Sequence, residues 1–117
     1  MSEEPPLRIA LVGPCAAGKT TLAHSLRASG YVVRQPAQEH SYVANMWQRL
    51  SQPDVLIYLD VDYPAIQKRR PHMGGGQKRL DEQRQRLAHA RQHCDFYLNT
   101  SDLTPEQVVA RVLDFLR

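Results

Sequence analysis

Apolar residues along the chain fall into two regimes: short unbroken runs, and stretches where they recur every third or fourth position. The runs at about 7–12, 31–33 and 54–62 are aliphatic and β-branched, and read as strands. The middle of the third, Val55-Leu56-Ile57-Tyr58-Leu59, is apolar throughout, as expected of a parallel strand covered on both faces. A fourth strand is expected at 95–99. Leu22, Ala23 and Leu26 predict a helix from Lys19 to about Ser29, which Gly30 terminates. After Ser41, a good N-cap, Val43, Met46, Trp47 and Leu50 share one helical face, and Pro53 ends that helix. Pro64 suits the first turn of a helix that Pro71 stops. Beyond the flexible triplet Gly74-Gly75-Gly76, Leu80, Leu87 and Ala90 form a thin seam on a long polar helix from about Arg79 to His93. Val108, Val109, Val112, Leu113 and Leu116 give the last helix its core face, with Ser101 or Thr104 as cap and Pro105 in the first turn.

Strand and helix thus alternate four times. That order predicts an α/β fold, a three-layer α/β/α arrangement around a small four-stranded parallel sheet. Right-handed crossovers then put the segment after the first strand at the carboxyl edge of the sheet, where open α/β folds bind ligands. At 117 residues one domain is expected over 7–117, behind an acidic, proline-rich and frayed N-terminus at 1–6.

The segment at that edge carries the chemistry. Gly13 and Gly18 bracket Pro14, Cys15, Ala16 and Ala17 and are followed by Lys19-Thr20, which completes the G-x-x-x-x-G-K-[ST] pattern. Glycines let consecutive backbone N–H groups converge on anionic oxygens, and the helix start adds its positive dipole end. Lys19 is expected to reach the β- and γ-phosphates of a nucleoside triphosphate, and the Thr20 hydroxyl to ligate Mg²⁺. Thr21 supports the helix start. A chance match on a surface loop would lack the apolar strand before the motif and the helical spacing behind it.

Composition narrows the setting. No run approaches the roughly 18 to 20 apolar residues that span a bilayer, so a cytoplasmic protein without membrane contact is expected. Cys15 and Cys94 read as free thiols, since a disulfide at Cys15 would obstruct the loop. His89 and His93 lie four apart without a cysteine pair or an H-E-x-x-H motif, and read as solvated or core-edge side chains. The net charge of +3 is uneven: residues 68–91 hold eight cations against Asp81 and Glu82, about +6, and the remainder is about −3. Eight cations in 24 residues could meet nucleic-acid phosphates, but this segment has no aromatic side chain for stacking, so nucleic acid is disfavoured.

Three pieces together make the chain resemble the P-loop nucleoside and nucleotide kinases of the adenylate, thymidylate and deoxynucleoside kinase kind. They are residues 13–21, the strand 53–60 with Lys68-Arg69-Arg70 behind it, and residues 95–108. The resemblance implies the P-loop NTPase fold, ATP and Mg²⁺ as ligands, and a basic lid-like excursion at about 64–93. Arg69, Arg70 and one of Lys78 or Arg79 would close over the transferred phosphate, where guanidinium groups stabilise phosphoryl charge. Residues 100–102 would lie near the base. The lack of an N-K-x-D signature favours ATP over GTP. Only about 18 residues, 36–53, fill the interval where these kinases carry a further strand and an acceptor-binding insertion. That departure leaves two acids in play. Asp60 ends its strand in the manner of a metal-linked Walker B aspartate, while Glu39 is the acid nearest the second strand's end. The lid-strand likeness of residues 60–64 tilts the choice towards Glu39 as base or metal-linked acid. Either acid could instead be structural, Glu39 as part of a helix cap.

Two functions follow as expectations. One is a compact phosphotransferase that passes the γ-phosphoryl of ATP to a small nucleoside or nucleotide acceptor. The other is a nucleotide-binding or slowly hydrolysing module that signals to a protein partner or to a second copy of itself, with Tyr42, Met46 and Trp47 as contact surface.

Overall fold

The computed structural model describes residues 6–117, so the expectation for 1–6 lies outside the described residues save for Pro6. Four strands, β1 (Arg8–Val12), β2 (Val32–Arg34), β3 (Val55–Asp60) and β4 (Phe96–Asn99), form one sheet in the order β2-β1-β3-β4. All neighbours are parallel, with Ile9 opposite Val33 on one side and Val55 on the other, and Ile57 opposite Phe96.

Alternation along the strands sorts side chains between two cores. Ile9, Leu11, Ile57 and Leu59 face Leu22, Ala23 and Leu26 of α1 (Lys19–Ala28), Ile66 of α3 (Tyr63–Arg69), and Val108 and Val112 of α6 (Pro105–Leu116). Ala10, Val12, Leu56 and Tyr58 face Trp47 of α2 (Met46–Ser51), with Leu87 and with Ala90 of α5 (Ala88–His93). Helices therefore cover both faces, which is compatible with a three-layer arrangement. Each fully buried aliphatic side chain contributes about 1.5–3 kcal/mol, so these two clusters dominate the folding energy.

The expected helix ends hold where backbone chemistry is explicit. Gly30 takes φ +95°, its N–H reaches Arg27 O at 3.0 Å and the Tyr31 N–H reaches Leu26 O at 3.1 Å, so the last carbonyls of α1 are satisfied. Thr104 and Gln107 form a reciprocal capping box at the start of α6.

Two expected helices differ. The stretch after Ser41 is not helical until Met46, because side chains take over its backbone groups. Ser41 Oγ accepts the Val43 N–H at 3.1 Å, while fully buried Gln38 donates to Val43 O and accepts the Trp47 N–H, both at 2.8 Å. Of the expected apolar face only Trp47 is buried; Val43 and Leu50 are exposed. The long polar helix is two: α4 (Gly76–Arg86) and α5 meet at Leu87, whose φ/ψ of −94° and −1° marks the joint. The break lets Leu80 enter one core while Leu87 and Ala90 enter the other.

His89 and His93 sit at a core edge, stacked on each other with centroids 4.2 Å apart, and His89 Nδ1 accepts the Trp47 indole N–H at 3.1 Å. Cys15 and Cys94 are free thiols. Among the described residues no helix is long and apolar enough to cross a membrane.

Candidate functional site

The loop between β1 and α1 lies at the carboxyl edge of the sheet, between the ends of β2, β3 and β4. Gly13 abuts β3 so closely that a Cβ there would overlap the Leu59 carbonyl oxygen. Gly18, at φ +100°, caps α1 in the left-handed region. Ala16 shares that region at φ +68°, a conformation that costs a non-glycine residue about 1 kcal/mol or more. The loop is held from three sides. The Cys15 N–H donates to Gln83 Oε1 at 3.0 Å; Arg69 Nη1 donates to Ala16 O at 2.9 Å; Thr100 Oγ1 lies 2.8 Å from Ala17 O. Gln83 and Thr100 are almost fully buried, at 3% and 1% exposure, so these ties are shielded from water.

Two chambers flank the loop and meet over Ala16, Gly18, Thr21 and Arg70. The larger, about 320 Å³, is mostly apolar, with Leu22, Leu103, Pro105 and Val108 opposite Arg69 and Thr100. The smaller, about 270 Å³, is polar and brings Lys19, Thr20, Gln35, Glu39 and Arg70 together with Cys15. Lys19 Nζ is ion-paired with Glu39 Oε2 and also donates to the Gly13 carbonyl. The pair is largely buried, with side chains 12% and 7% exposed. Glu39 Oε1 is buried without a hydrogen-bond partner, an unmet acceptor of the kind that a ligand or ion satisfies. Thr20 Oγ1 lies 3.3 Å from Gln35 Oε1. A hydroxyl, an amide oxygen and a carboxylate form a hard oxygen donor set, which suits Mg²⁺.

The two candidate acids are separated by this geometry. Glu39 lines the polar chamber and Asp60 lines neither. Asp60 Oδ1 accepts the Val61 N–H at 2.9 Å and Arg84 Nη2 at 3.1 Å, and Oδ2 accepts the Tyr97 hydroxyl at 2.6 Å. Its carboxylate is thus saturated by structural donors. Burial, then the hydrogen bond to Asp60 and its charge, push the Tyr97 pKa up to about 12. Burial opposes the Arg84 cation, but Asp60 outweighs it and raises the guanidinium above its ordinary value.

The lid candidates also part company. Arg70 lines both chambers, whereas Arg69 lines the apolar one while its guanidinium holds Ala16 O, Thr100 Oγ1 and Thr100 O. The basic excursion packs into the fold through Leu80, Gln83, Leu87 and Ala90. Of its eight cations, Arg69, Arg79, Arg84, Arg86 and Arg91 make intramolecular contacts. Residues the sequence did not flag are Gln35 and Gln83. Gln35 was findable as the first position after β2, whereas nothing in the sequence of α4 marks Gln83 as the glutamine that this helix buries.

No protein-family model matches the chain, and no curated protein matches it.

Proposed function

We propose that the chain is a P-loop protein that binds ATP with Mg²⁺ on residues 13–21 and transfers the γ-phosphoryl group to a small acceptor. One observation carries this reading: a glycine-bracketed loop opens into a polar chamber holding Lys19, Thr20, Glu39 and Arg70, and continues into an apolar chamber sized for a base. The backbone N–H groups of the loop and the N-terminus of α1 bind the phosphate chain. Lys19 exchanges Glu39 for the β- and γ-phosphoryl oxygens, which frees Glu39 to accept the acceptor's proton. Arg70, placed between the chambers, stabilises charge on the transferred group. Thr20, with Gln35 beside it, would hold Mg²⁺, which when bound supplies charge neutralisation at the phosphates. The chemistry is positioning and electrostatics, as phosphoryl transfer requires little else of a protein.

The test is ATP consumption in the presence of a panel of nucleosides, nucleotides and other small hydroxy compounds. Acceptor-stimulated turnover that disappears in Glu39→Gln supports the reading; no stimulation by any member counts against transfer.

A second reading, a nucleotide-binding module that reports occupancy to a partner, draws on one feature. Tyr42 and Leu50 stand 88% and 70% exposed on the segment that follows Glu39. Size-exclusion chromatography with and without Mg·ATP separates the readings, since an unchanged oligomeric state and partner profile removes the support for signalling.

A further inference from the structure

On the other side of Cys15 from the nucleotide chambers lies a third cavity of about 380 Å³, lined by His40, Lys78, Arg79, Glu82, Gln83 and Arg86. Three cations face one carboxylate in it, which leaves two positive charges with His40 neutral. Among the described residues, Lys78, Arg79 and Arg86 take part in no ion pair. Two of the three are held in place by uncharged partners, Arg79 by the Gly74 carbonyl at 3.4 Å and Arg86 by two oxygens. Arg86 donates to Glu39 O at 3.3 Å and to the Tyr42 hydroxyl at 3.4 Å, with its guanidinium 4.9 Å from the Tyr42 ring centroid. Arg79 leans over Gly75, where a Cβ would come within 2.6 Å of the Arg79 Cβ, so the glycine makes room for the stem.

The cavity shares a wall with the polar chamber. Gln83 lines it and holds the Cys15 N–H at 3.0 Å; His40 lines it with Nε2 3.7 Å from Cys15 Sγ. Glu39, with its unmet buried oxygen, directly precedes His40 and lines the nucleotide side. Gln83 and His40 thus form the partition between the cations and the carboxylate, and an acceptor anchored among the cations reaches Glu39 by opening their contacts with Cys15.

We propose that this cavity seats the acceptor, and that the acceptor is a small phosphate monoester carrying a free hydroxyl. The inference rests on the phosphotransferase reading above and names its substrate class. A dianion matches two uncompensated positive charges, guanidinium forks bind phosphate oxygens bidentately, and the volume falls in the range of small-ligand pockets. In the transfer step the hydroxyl oxygen forms a bond to the γ-phosphorus while the bond from that phosphorus to the ADP oxygen breaks. The hydroxyl proton passes to Glu39, so the products are a doubly phosphorylated acceptor, ADP and a proton. The 36–53 interval is short because α4, and not an insertion, carries the acceptor's anchor.

The experiment offers wild-type protein and Mg·ATP a set of pairs: ribose 5-phosphate with ribose, glycerol 3-phosphate with glycerol, and nucleoside 5′-monophosphates with their nucleosides. ADP release is followed, and Mg·ATP and monoester binding are titrated in parallel. At least one monoester is expected to stimulate release about tenfold over its parent. For that monoester, Lys78→Gln combined with Arg79→Gln raises KM by about tenfold or more with a much smaller change in kcat, and Arg79→Lys recovers part of the loss. Parents that serve as well as their monoesters, or a KM and a monoester affinity untouched by the paired variant, overturn the inference and leave the kinase reading standing. Wild type that binds Mg·ATP but neither binds nor responds to any monoester overturns it as well. Wild type that fails to bind Mg·ATP removes the functional reading beneath it.

Discussion

The Lys19–Glu39 pair makes a prediction whose size follows from its burial. With both side chains close to nine-tenths buried, the pair is shielded from the solvent screening that reduces exposed ion pairs to about 0–1 kcal/mol. Lys19→Met leaves a buried carboxylate with neither oxygen partnered, since Oε1 has no partner even now. Removing one member of such a pair costs about 3–5 kcal/mol, a large share of the 5–15 kcal/mol that stabilises a typical domain. At this chain length that amounts to a melting temperature lower by about 10–20 °C. Adding Glu39→Leu removes the stranded charge as well, and replacing both partners by apolar groups is often near neutral. Urea unfolding of the four proteins of this cycle at pH 7 is therefore expected to give a coupling energy of at least about 2 kcal/mol, the double variant being more stable than Lys19→Met alone. Single variants that each cost less than about 1 kcal/mol, and whose effects add to within about 0.5 kcal/mol, would refute the shielded geometry. On the function proposed above, a bound phosphate would have to compete with Glu39 for this ammonium.

Three further outcomes follow from local geometry. Gly13→Ala forces a methyl onto the Leu59 carbonyl and is expected to cost about 1–3 kcal/mol in urea unfolding, more than Gly18→Ala, where a methyl meets open space and only the left-handed φ opposes it; the reverse order contradicts the packing described. Tyr97 has a folded pKa of about 12 against about 10 when unfolded, so its contribution to stability is complete below pH 10 and is lost as the pH rises towards 12; a Tyr97→Phe variant shows a shallower decline over that window in thermal unfolding, and an identical slope counts against the Asp60 contact. Asp60→Asn strips Arg84 and Tyr97 of a charged partner and is expected to cost about 1–3 kcal/mol of stability while Mg·ATP affinity stays within about threefold, whereas a large loss of affinity in calorimetry would return Asp60 to the metal.

The sheet and its partners were legible because the strands are short apolar runs and because α1 and α6 carry local end signals. Thr104-Pro105 with Gln107 and the Gly30 stop are local signals, and local structure obeyed them. The stretch 41–50 misled because Val43, Met46, Trp47 and Leu50 have helical spacing, yet one buried side chain just upstream, Gln38, decides the backbone. Gln38 supplies both a donor and an acceptor that a helix would otherwise provide, and its burial against Arg86 O, 48 residues away, is what spacing does not record. The break at Leu87 was hidden for a related reason, since the seam looks continuous until its residues are assigned to opposite faces of the sheet.

The place of the loop at the carboxyl edge of the sheet could be read from the strand before it and the helix behind it, and the nearness of Glu39 from its position after the second strand. The different surroundings of Glu39 and Asp60 could not, because both acids lie at strand ends, and only three-dimensional contacts reveal that Arg84 and Tyr97 occupy one of them. Arg69 illustrates the same gap: its basic neighbourhood suggests a mobile lid, and its hydrogen bonds to Ala16 O and Thr100 tie it to the loop. The polar chamber owes Gln35 to its place at the end of β2, where it reaches Thr20.

The most direct test of the central claim is a calorimetric titration of Mg·ATP into the wild type and into Lys19→Ala, compared at a temperature where both are folded by circular dichroism. The expected result is saturable one-to-one binding to the wild type and at least about tenfold weaker binding to the variant, as for the loss of a charge-assisted contact. Equal affinity in the two folded proteins, or no binding to the wild type, would contradict the assignment of residues 13–21 as the nucleotide's phosphate site.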